Sequence, residues 1–197
     1  MFTGIIEAQG VIRKMIIWGS NKSYWIKSSI SRKLKPDQSL AHDGVCLTVE
    51  EVKNNTHKVT AIAETLRKTA LEIWEPGTVI NLERCLKIND RLDGHFVQGH
   101  VDSTGTCISR LEKNGSWEFR FQFPSEFAHL IIEKGSITVN GISLTAFNVT
   151  KDSFEVAIIP YTFDHTNMNI LKEGNEVNLE FDILGKYMNR MEELKYS

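Results

Sequence analysis

Short apolar and β-branched stretches, separated by turn residues, recur along the whole chain. In its first half they cover residues 4–7, 10–12, 24–26, 46–49, 58–62 and 79–82. In the second half, residues 117–123 alternate aromatic with polar side chains, which is typical of a strand with one buried face. Such strands, recurring at roughly 8–15 residues, are typical of a small antiparallel barrel or sandwich. The pattern therefore predicts an all-β protein with two short helical caps, at 64–69 and at 124–130, the second with Ser125 as its N-cap.

The chain also repeats itself. Residues 39–48 match 136–145 at an offset of 97, and Thr65 and Thr69 meet Thr162 and Thr166 at the same offset. Residues 77 and 81–83 match 174 and 178–180, again at 97, and 3–10 match 98–105 at 95. Four blocks in one order indicate a duplication. We expect two compact domains, 1–93 and 94–185, followed by a separate segment, 186–197.

The final segment has a helical pattern of its own. Tyr187, Met191 and Leu194 lie at i, i+4 and i+7, on one face of a helix predicted over 186–194. Because two complete repeats precede this helix, its narrow apolar stripe has two possible partners. It packs either against the same helix of other protomers or back on its own barrel.

Composition excludes several classes of protein. Apolar residues make up 41% and charged residues 24%, with a net charge of −2 and no basic run, which argues against nucleic acid as a main partner. No apolar run approaches the ~20 residues that cross a membrane, and no signal peptide is recognisable, so a cytoplasmic location is expected. Three widely spaced cysteines, Cys46, Cys85 and Cys107, fit reduced thiols. CxxC, GxGxxG and P-loop patterns are absent, and neither a metal nor a cofactor is expected.

Seven motifs together resemble one known family. They are MFTGIIE (1–7), DGVCLTV (43–49), ETLRKT (64–69), VINLER (79–84), GHFVQGHVD (94–102), KGSITVNGISLT (134–145) and VNLEFDILGKY (177–187). Each is weak alone, but their combination is specific, and over almost its whole length the chain resembles the riboflavin synthases. The resemblance implies two tandem six-stranded antiparallel β-barrels and a C-terminal helix that forms a homotrimer. It also implies a cofactor-independent dismutation of 6,7-dimethyl-8-ribityllumazine, in which one molecule donates four carbons to another to give riboflavin and 5-amino-6-ribitylamino-uracil.

A duplicated domain offers two similar pockets, as a reaction between two identical molecules requires. Positions shared by both copies are natural binding residues: Gly4 and Gly99, Thr48 and Thr145, Thr65 and Thr162. Positions that differ allow donor and acceptor different roles: Cys46 corresponds to Ser143, Ile5 to His100, Glu64 to Tyr161 and Cys85 to Asp182.

The resemblance extends both sets. Substrate contacts are expected from Gly4, Ile5, Ile6, Ser39, Cys46, Leu47, Thr48, Ala61, Ile62, Ala63, Glu64, Thr65, Gly99, His100, Val101, Lys134, Ser143, Leu144, Thr145, Ile158, Ile159, Pro160, Tyr161 and Thr162. Catalytic roles are expected for Cys46, His100, Ser143, Thr145 and Asp182.

Each expectation has a structural alternative. Cys46 is either a nucleophile or polar contact near the substrate's C7, or a small buried apolar residue. His100 is expected to move protons near neutral pH, whereas His95, at the domain junction, fits a structural role as well as a catalytic one. The two histidines do not suggest a metal site, because an i, i+5 pair in a strand points to opposite faces. Without a role in the site, Asp182 is a surface carboxylate at the end of a strand, and Ser39 is a turn residue.

Two other functions and two sequence departures bear on this interpretation. The first alternative is a non-catalytic lumazine carrier. Such relatives lose motifs from one or both halves, whereas here GHFVQGHVD, Cys46 and Asp182 are all present. A two-barrel flavin-binding reductase module would carry a flavin motif that is not visible.

The family commonly has Val at His42 and often Gly at Asp93, so these residues are expected to change pocket charge or loop shape. The resemblance further implies that one protomer's N-terminal barrel faces a neighbour's C-terminal barrel, with Cys46 and His100 in one site but from different chains.

Overall fold

The computed structural model describes residues 1–195, which form two antiparallel sheets. The first sheet contains β1 (Ala8–Trp18), β2 (Asn21–Ser28), β3 (Ser39–His42), β4 (Val45–Thr48), β5 (Glu51–Lys53), β6 (Thr56–Ala61) and β7 (Val79–Arg84). The second contains β8 (Ser103–Glu112), β9 (Trp117–Gln122), β10 (Ser136–Val139), β11 (Ile142–Phe147), β12 (Ser153–Ile158) and β13 (Glu176–Phe181). Three α-helices follow strands: α1 (Ala63–Lys68), α2 (Pro160–His165) and α3 (Ile183–Glu193). No helix among these described residues is long and apolar enough to cross a membrane.

The two sheets share one topology, but only the second closes fully. Its six strands form a closed barrel in the order β10-β11-β12-β9-β8-β13. The first sheet has seven strands in the order β4-β3-β7-β1-β2-β6-β5. There a single backbone bond, from Glu50 N to Lys58 O at 2.9 Å, spans the gap between the end of β4 and β6. The all-β fold with a C-terminal helix is confirmed, and the first copy differs from the expected six-stranded barrel by its open ladder and the short strand β5.

Each sheet encloses its own apolar core. Ile12, Ile26 and Leu40 are fully buried within the first sheet, and Phe119, Phe121 and Phe154 within the second. The aromatic–polar alternation over 117–123 is therefore that of a strand with one face inside the barrel, as predicted.

The two copies meet at a pair of tight hairpins. Asp43-Gly44 and Asn140-Gly141 each have positive φ at both residues, the geometry of a type I′ turn. The glycines touch across the approximate twofold axis, since a Cβ on Gly44 would lie 2.8 Å from the Gly141 nitrogen. Buried Asn81 donates from its side chain to Asn140 O at 2.9 Å, and its counterpart Asn178 donates to Asp43 O at 2.9 Å. These paired bonds join the sheets through positions that the repeat shares.

Several sequence predictions of elements need correction. The predicted helix over 64–69 is confirmed by α1, but the second cap is a 3₁₀ turn, Ser125–Leu130, whose N-cap is Pro124 and not Ser125. Residues 4–7 form no strand. Gly4 bonds to the Glu83 side chain and to Ser143 of the second sheet, and Glu7 N alone bonds to the backbone of a strand of the first sheet, at Leu82 O. The final helix begins at Ile183, three residues earlier than predicted, because the Asp182 side chain accepts from Leu184 N at 3.0 Å and caps it.

The N-terminal segment, residues 1–7, crosses from the first sheet to the second. Buried Glu83 of β7 accepts hydrogen bonds from Thr3 N at 2.7 Å, Thr3 Oγ1 at 2.7 Å and Gly4 N at 3.0 Å. The next carbonyl, Gly4 O, accepts from Ser143 N of β11 at 2.8 Å. The segment is thus held by the first sheet and placed against the second.

The linker segment, residues 94–102, makes the reciprocal crossing. Glu180 of β13 accepts from the backbone N–H groups of Gln98, Gly99 and His100, at 2.6, 2.9 and 2.9 Å. Gly99 O accepts from Cys46 N of β4 at 2.8 Å. The two segments also pair with each other through a bridge between Phe2 and Val97. Each copy therefore holds one segment with its buried glutamate and receives the other copy's segment at its β3–β4 or β10–β11 hairpin.

The core of the first sheet contains a chain of polar groups that the second lacks. His42 Nδ1 lies 3.0 Å from Leu40 O, and because a carbonyl only accepts, this nitrogen carries the proton. His42 Nε2 then accepts from His57 Nε2 at 3.0 Å, and His57 Nδ1 accepts from Ser31 Oγ at 2.9 Å. Both imidazole rings are therefore neutral, and each of their four nitrogens makes a hydrogen bond. The same strand positions in the second sheet hold apolar residues, Val139 and Phe154.

This chain of histidines predicts a loss of stability in acid. Burial holds the pKa of His57 at about 4, and burial together with His57 holds the pKa of His42 well below its ordinary 6.5. The unfolded chain takes up these protons below pH 6.5 and the folded one does not, so stability is complete above 6.5 and falls as the pH drops toward 4. The loss approaches about 1.4 kcal/mol per pH unit for each histidine.

Urea denaturation from pH 7.5 to 4.5 measures this dependence. The variant His42→Val/His57→Phe, which carries the residues of the second sheet, should show a shallower fall in unfolding free energy than the wild type. The exposed His129→Gln serves as the control and should keep the wild-type slope. Equal slopes in the wild type and the double variant would show that the pair does not titrate on unfolding.

The crossing segments predict that Gly99→Ala is severe. Gly99 has φ +81°, and a Cβ there would lie 2.6 Å from Cys46 Cβ and 2.9 Å from the Phe2 ring. The left-handed backbone costs about 1–2 kcal/mol, and the clash adds roughly 1–3 kcal/mol. At Gly77, with φ +102° and no atom within 4 Å of a Cβ, only the backbone cost applies. Urea denaturation of Gly99→Ala and Gly77→Ala compares the two, and equal losses would contradict the close contact.

Candidate functional site

The first group of candidate residues surrounds Cys46 on β4. The bond between Cys46 N and Gly99 O brings the next residue of the linker segment, His100, to the same hairpin, where the His100 side chain is exposed. Cys46 is half-buried beside Ala41 and Phe2. The exposed side chains of Thr48, at the end of β4, and Ile62, before α1, belong to the same sheet. A thiol, an imidazole and apolar surface thus occur together on the first copy.

The second group surrounds Ser143 on β11. His95 Nδ1 lies 2.6 Å from Ser143 Oγ, and Thr138 Oγ1 lies 3.1 Å from His95 Nε2. The N-terminal segment reaches the same place, since a Cβ on Gly4 would lie 2.5 Å from Ser143 Cβ. Exposed Ile5 follows Gly4, as His100 follows Gly99 in the first group. The two groups are therefore equivalent in backbone and different in chemistry: thiol and imidazole in one, hydroxyl and buried imidazole in the other.

The pKa shifts distinguish the two groups further. Burial raises the pKa of the Cys46 thiol, and a hydrogen bond with the Ser39 side chain opposes that rise. The neutral thiol at pH 7 suits a polar contact better than a nucleophile. Burial lowers the pKa of His95, and nearby Asp182 opposes that shift. A neutral His95 has one nitrogen free to accept the Ser143 hydroxyl proton while the other donates to Thr138.

Cavities lie at equivalent places in the two copies. One of about 410 Å³ beside the first group is lined by Ser39 and Cys85, together with Arg84 and Lys87. Another of about 730 Å³ is lined by the counterparts Ser136 and Asp182, and by Leu184 and Met188 of α3. Ser39 and Asp182 thus border open space, but Asp182 also caps α3, so its carboxylate has a structural task as well.

The other predicted contacts divide by burial. Leu47, Ala61 and Ile158 are buried in the two apolar cores, so their side chains are not available to a ligand. Side chains that are half-buried or exposed are Ile6, Ala63, Glu64, Thr65, Val101, Lys134, Leu144, Thr145, Ile159, Pro160, Tyr161 and Thr162. Of these, Ile159 and Tyr161 are 61% and 70% exposed at the start of α2, as Ile62 and Glu64 are exposed at the start of α1. The sequence repeat therefore recurs as two equivalent open surfaces.

Two predictions about this region were wrong. Cys46 and His100 do not come from different chains, because the Cys46 N–Gly99 O bond joins them within one chain. His42 does not change the charge of a pocket, since it is neutral inside the first core.

Sequence reasoning missed the groups that place the segments. Glu83 and Glu180 each accept three bonds from a crossing segment. They lie in the repeated Asn-Leu-Glu block, and a repeated acid in an apolar strand was the available signal. Thr138, the second partner of His95, gave no signal of its own.

The comparisons with known proteins agree with the duplication. The model of the family described as lumazine binding domain matches residues 3–85 and 98–182, one match for each copy. A crystal structure of LumP complexed with riboflavin has a TM-score of 0.86 at 20% identity, over 92% of this chain and 99% of that chain. A structure of LumP complexed with 6,7-dimethyl-8-(1'-D-ribityl) lumazine gives 0.84 over the same shares. These structures are similar to this chain in fold.

Sequence relatives carry the family assignment. The riboflavin synthase of Bacillus subtilis is 38% identical over 191 residues, covering 96% of this chain and 89% of that protein. The riboflavin synthase of Mycobacterium bovis is 38% identical over 199 residues, covering 97% and 98%. That of Saccharomyces cerevisiae is 36% identical over 203 residues, covering 96% and 85%. On this similarity and on the two lumazine-binding repeats, the chain belongs to the riboflavin synthase family.

Proposed function

We propose that this enzyme converts two molecules of 6,7-dimethyl-8-ribityllumazine into riboflavin and 5-amino-6-ribitylamino-uracil. The observation that carries the proposal is the pair of equivalent groups around Cys46 and Ser143, one in each lumazine-binding repeat. Four carbons leave one molecule and enter the other, so donor and acceptor are the same compound. Two sites of similar shape and different polar groups suit that requirement.

The reaction needs positioning more than reactive groups. The C7 methyl of the lumazine is acidic because its carbanion is delocalised into the ring, and this carbanion attacks the second ring. Holding the two rings together makes a bimolecular step effectively unimolecular, which lowers the barrier by about 7–11 kcal/mol. Proton transfers by side chains add roughly 10²–10⁴-fold. No redox cofactor enters the balance, since the electrons needed by one molecule come from the other.

The two groups take different parts in this scheme. At the second copy, neutral His95 accepts the Ser143 hydroxyl proton at Nδ1, 2.6 Å away, so that the serine oxygen can add to or deprotonate a bound ring. Asp182 and the exposed Thr145 of β11 complete that side. At the first copy, Cys46 and Thr48 offer polar contacts near C7, and exposed His100 moves protons. The remaining predicted substrate contacts, from Ile62 to Thr65 and from Ile159 to Thr162, supply apolar walls and hydroxyls.

The two groups are proposed to meet between protomers of a homotrimer. Both open surfaces carry exposed apolar side chains, Ile62 on the first and Ile159 and Tyr161 on the second, as surfaces that pair do. The predicted apolar stripe, Tyr187, Met191 and Leu194, is exposed in the single chain. This favours the first of the two partners considered for that helix, the same helix in other protomers.

Two further features complete the proposal. We retain the division into 1–93, 94–185 and 186–197, each barrel binding one lumazine, with residues 1–7 and 94–102 crossing between the copies. A cytoplasmic location fits the three free thiols, Cys46, Cys85 and Cys107.

Turnover of the purified protein tests the function. With lumazine alone, and with EDTA present, absorbance and chromatography should show one riboflavin and one uracil product for every two lumazines consumed. His95→Gln should lower kcat by about 10²-fold or more, since it removes the base for Ser143, whereas the exposed change Lys151→Gln, at a position that lines neither cavity, should leave kcat unchanged. Stoichiometric binding of lumazine without any riboflavin would make the protein a carrier and contradict the proposal.

A further inference from the structure

A basic cavity lies on the wall of the first sheet, away from both groups of candidate residues. Its volume is about 510 Å³, and it lies between β1, β2 and the turns that follow β2 and β5. Three cations line it, Arg13, Lys27 and Arg32, together with Gln9 and Asn55, and no carboxylate does. The cavity shares no residue with the sites described above.

The local fold directs these cations to one place. The β1–β2 pairing jumps from Ile12–Ile26 to Lys14–Trp25, so Arg13 is the extra residue of a β-bulge. A bulge redirects its side chain relative to the regular alternation. Lys27 faces the same wall, because it pairs with Val11 two residues before the bulge.

Four polar side chains of the cavity lack partners. Over residues 1–195, none of the three cationic side chains makes an ion pair or a hydrogen bond. Gln9 Nε2 is buried there without a hydrogen-bond partner. A buried amide without a partner costs stability, and three like charges around one cavity repel each other. A bound anion would relieve both costs.

The second copy serves as an internal comparison. It has the same bulge, between Cys107 and Ser109, but Ile108 stands in the place of Arg13. Gln122 stands in the place of Lys27, since it pairs with Thr106 as Lys27 pairs with Val11. The second barrel therefore folds without a cation at either of these two positions, where the first copy carries Arg13 and Lys27.

We propose that this cavity binds a phosphate-class dianion, either inorganic phosphate or a phosphate monoester. Guanidinium groups match phosphate oxygens in pairs, and lysine adds a point charge. A volume of about 510 Å³ holds a phosphate with a small organic group. The chain's net charge of −2 and the compact cluster favour a small anion over a nucleic acid strand. The inference is independent of the proposed reaction, whose substrate carries no phosphate.

Calorimetric titration of the full-length protein with inorganic phosphate tests the site, in buffer whose ionic strength is matched with sodium chloride. One phosphate should bind per chain, and Arg13→Gln/Lys27→Gln should weaken the affinity by about tenfold or more. Arg91→Gln/Lys151→Gln removes the same charge from exposed positions outside the cavity and should bind as the wild type does. Glycerol phosphate in place of phosphate separates the two ligand sources, because tighter binding identifies the monoester and equal binding the phosphate group alone.

Either of two results would overturn the site. One is the absence of saturable phosphate binding to the wild-type protein. The other is an equal loss of affinity in both double variants, which would reduce the effect to net charge. Because all four substituted side chains are exposed, each variant is expected to fold, and its far-ultraviolet circular dichroism verifies this.

Discussion

Two buried carboxylates, Glu83 and Glu180, determine where the site residues lie. Each binds three donors of a crossing segment, and hydrogen bonds to a charged acceptor are about twice as strong as neutral ones. Burial raises the pKa of both, and the donated hydrogen bonds oppose that rise. With the segments fixed in this way, Gly4 meets Ser143 and Gly99 meets Cys46. Each group of candidate residues is consequently built from both copies of the repeat.

The hydrogen bonds where the two sheets meet are kept although one of their residues differs between the copies. Asp43 stands where the second copy has Asn140. The Asp43 side chain accepts a hydrogen bond from Asn81 N of β7 at 2.7 Å, and the Asn140 side chain accepts one from Asn178 N of β13 at 2.8 Å. Burial raises the pKa of Asp43 to about 8, so the carboxyl is largely neutral at pH 7. A neutral acid accepts as an amide oxygen does. The approximate twofold axis therefore survives the substitution, while the reactive positions differ between the copies.

The sequence predicted the strands that occur in both copies. It missed the two segments, residues 1–7 and 94–102, that cross from one copy to the other. Period-two alternation identified 117–123, and the offset of 97 paired Cys46 with Ser143 because local patterns are kept within each copy. Residues 4–7 are apolar and β-branched, but their partners are Glu83 and Ser143, about 80 and 140 positions away, and no local signal reports such contacts. For the same reason the sequence did not show that His100 reaches Cys46 within one chain. The polar chain of His42 and His57 was invisible too, since it joins two strands that each follow an ordinary strand pattern.

The most direct test of the account mixes inactivated proteins under subunit exchange. With Cys46 and His100 on one surface and Ser143 on the other, Cys46→Ala mixed with Ser143→Ala should recover riboflavin formation, because one interface in the mixed trimer is intact. Cys46→Ala mixed with His100→Ala should stay at the level of its parents, since every first surface then carries one lesion. Recovery in the second mixture, or none in the first despite exchange seen by native mass spectrometry, would contradict the arrangement of the site.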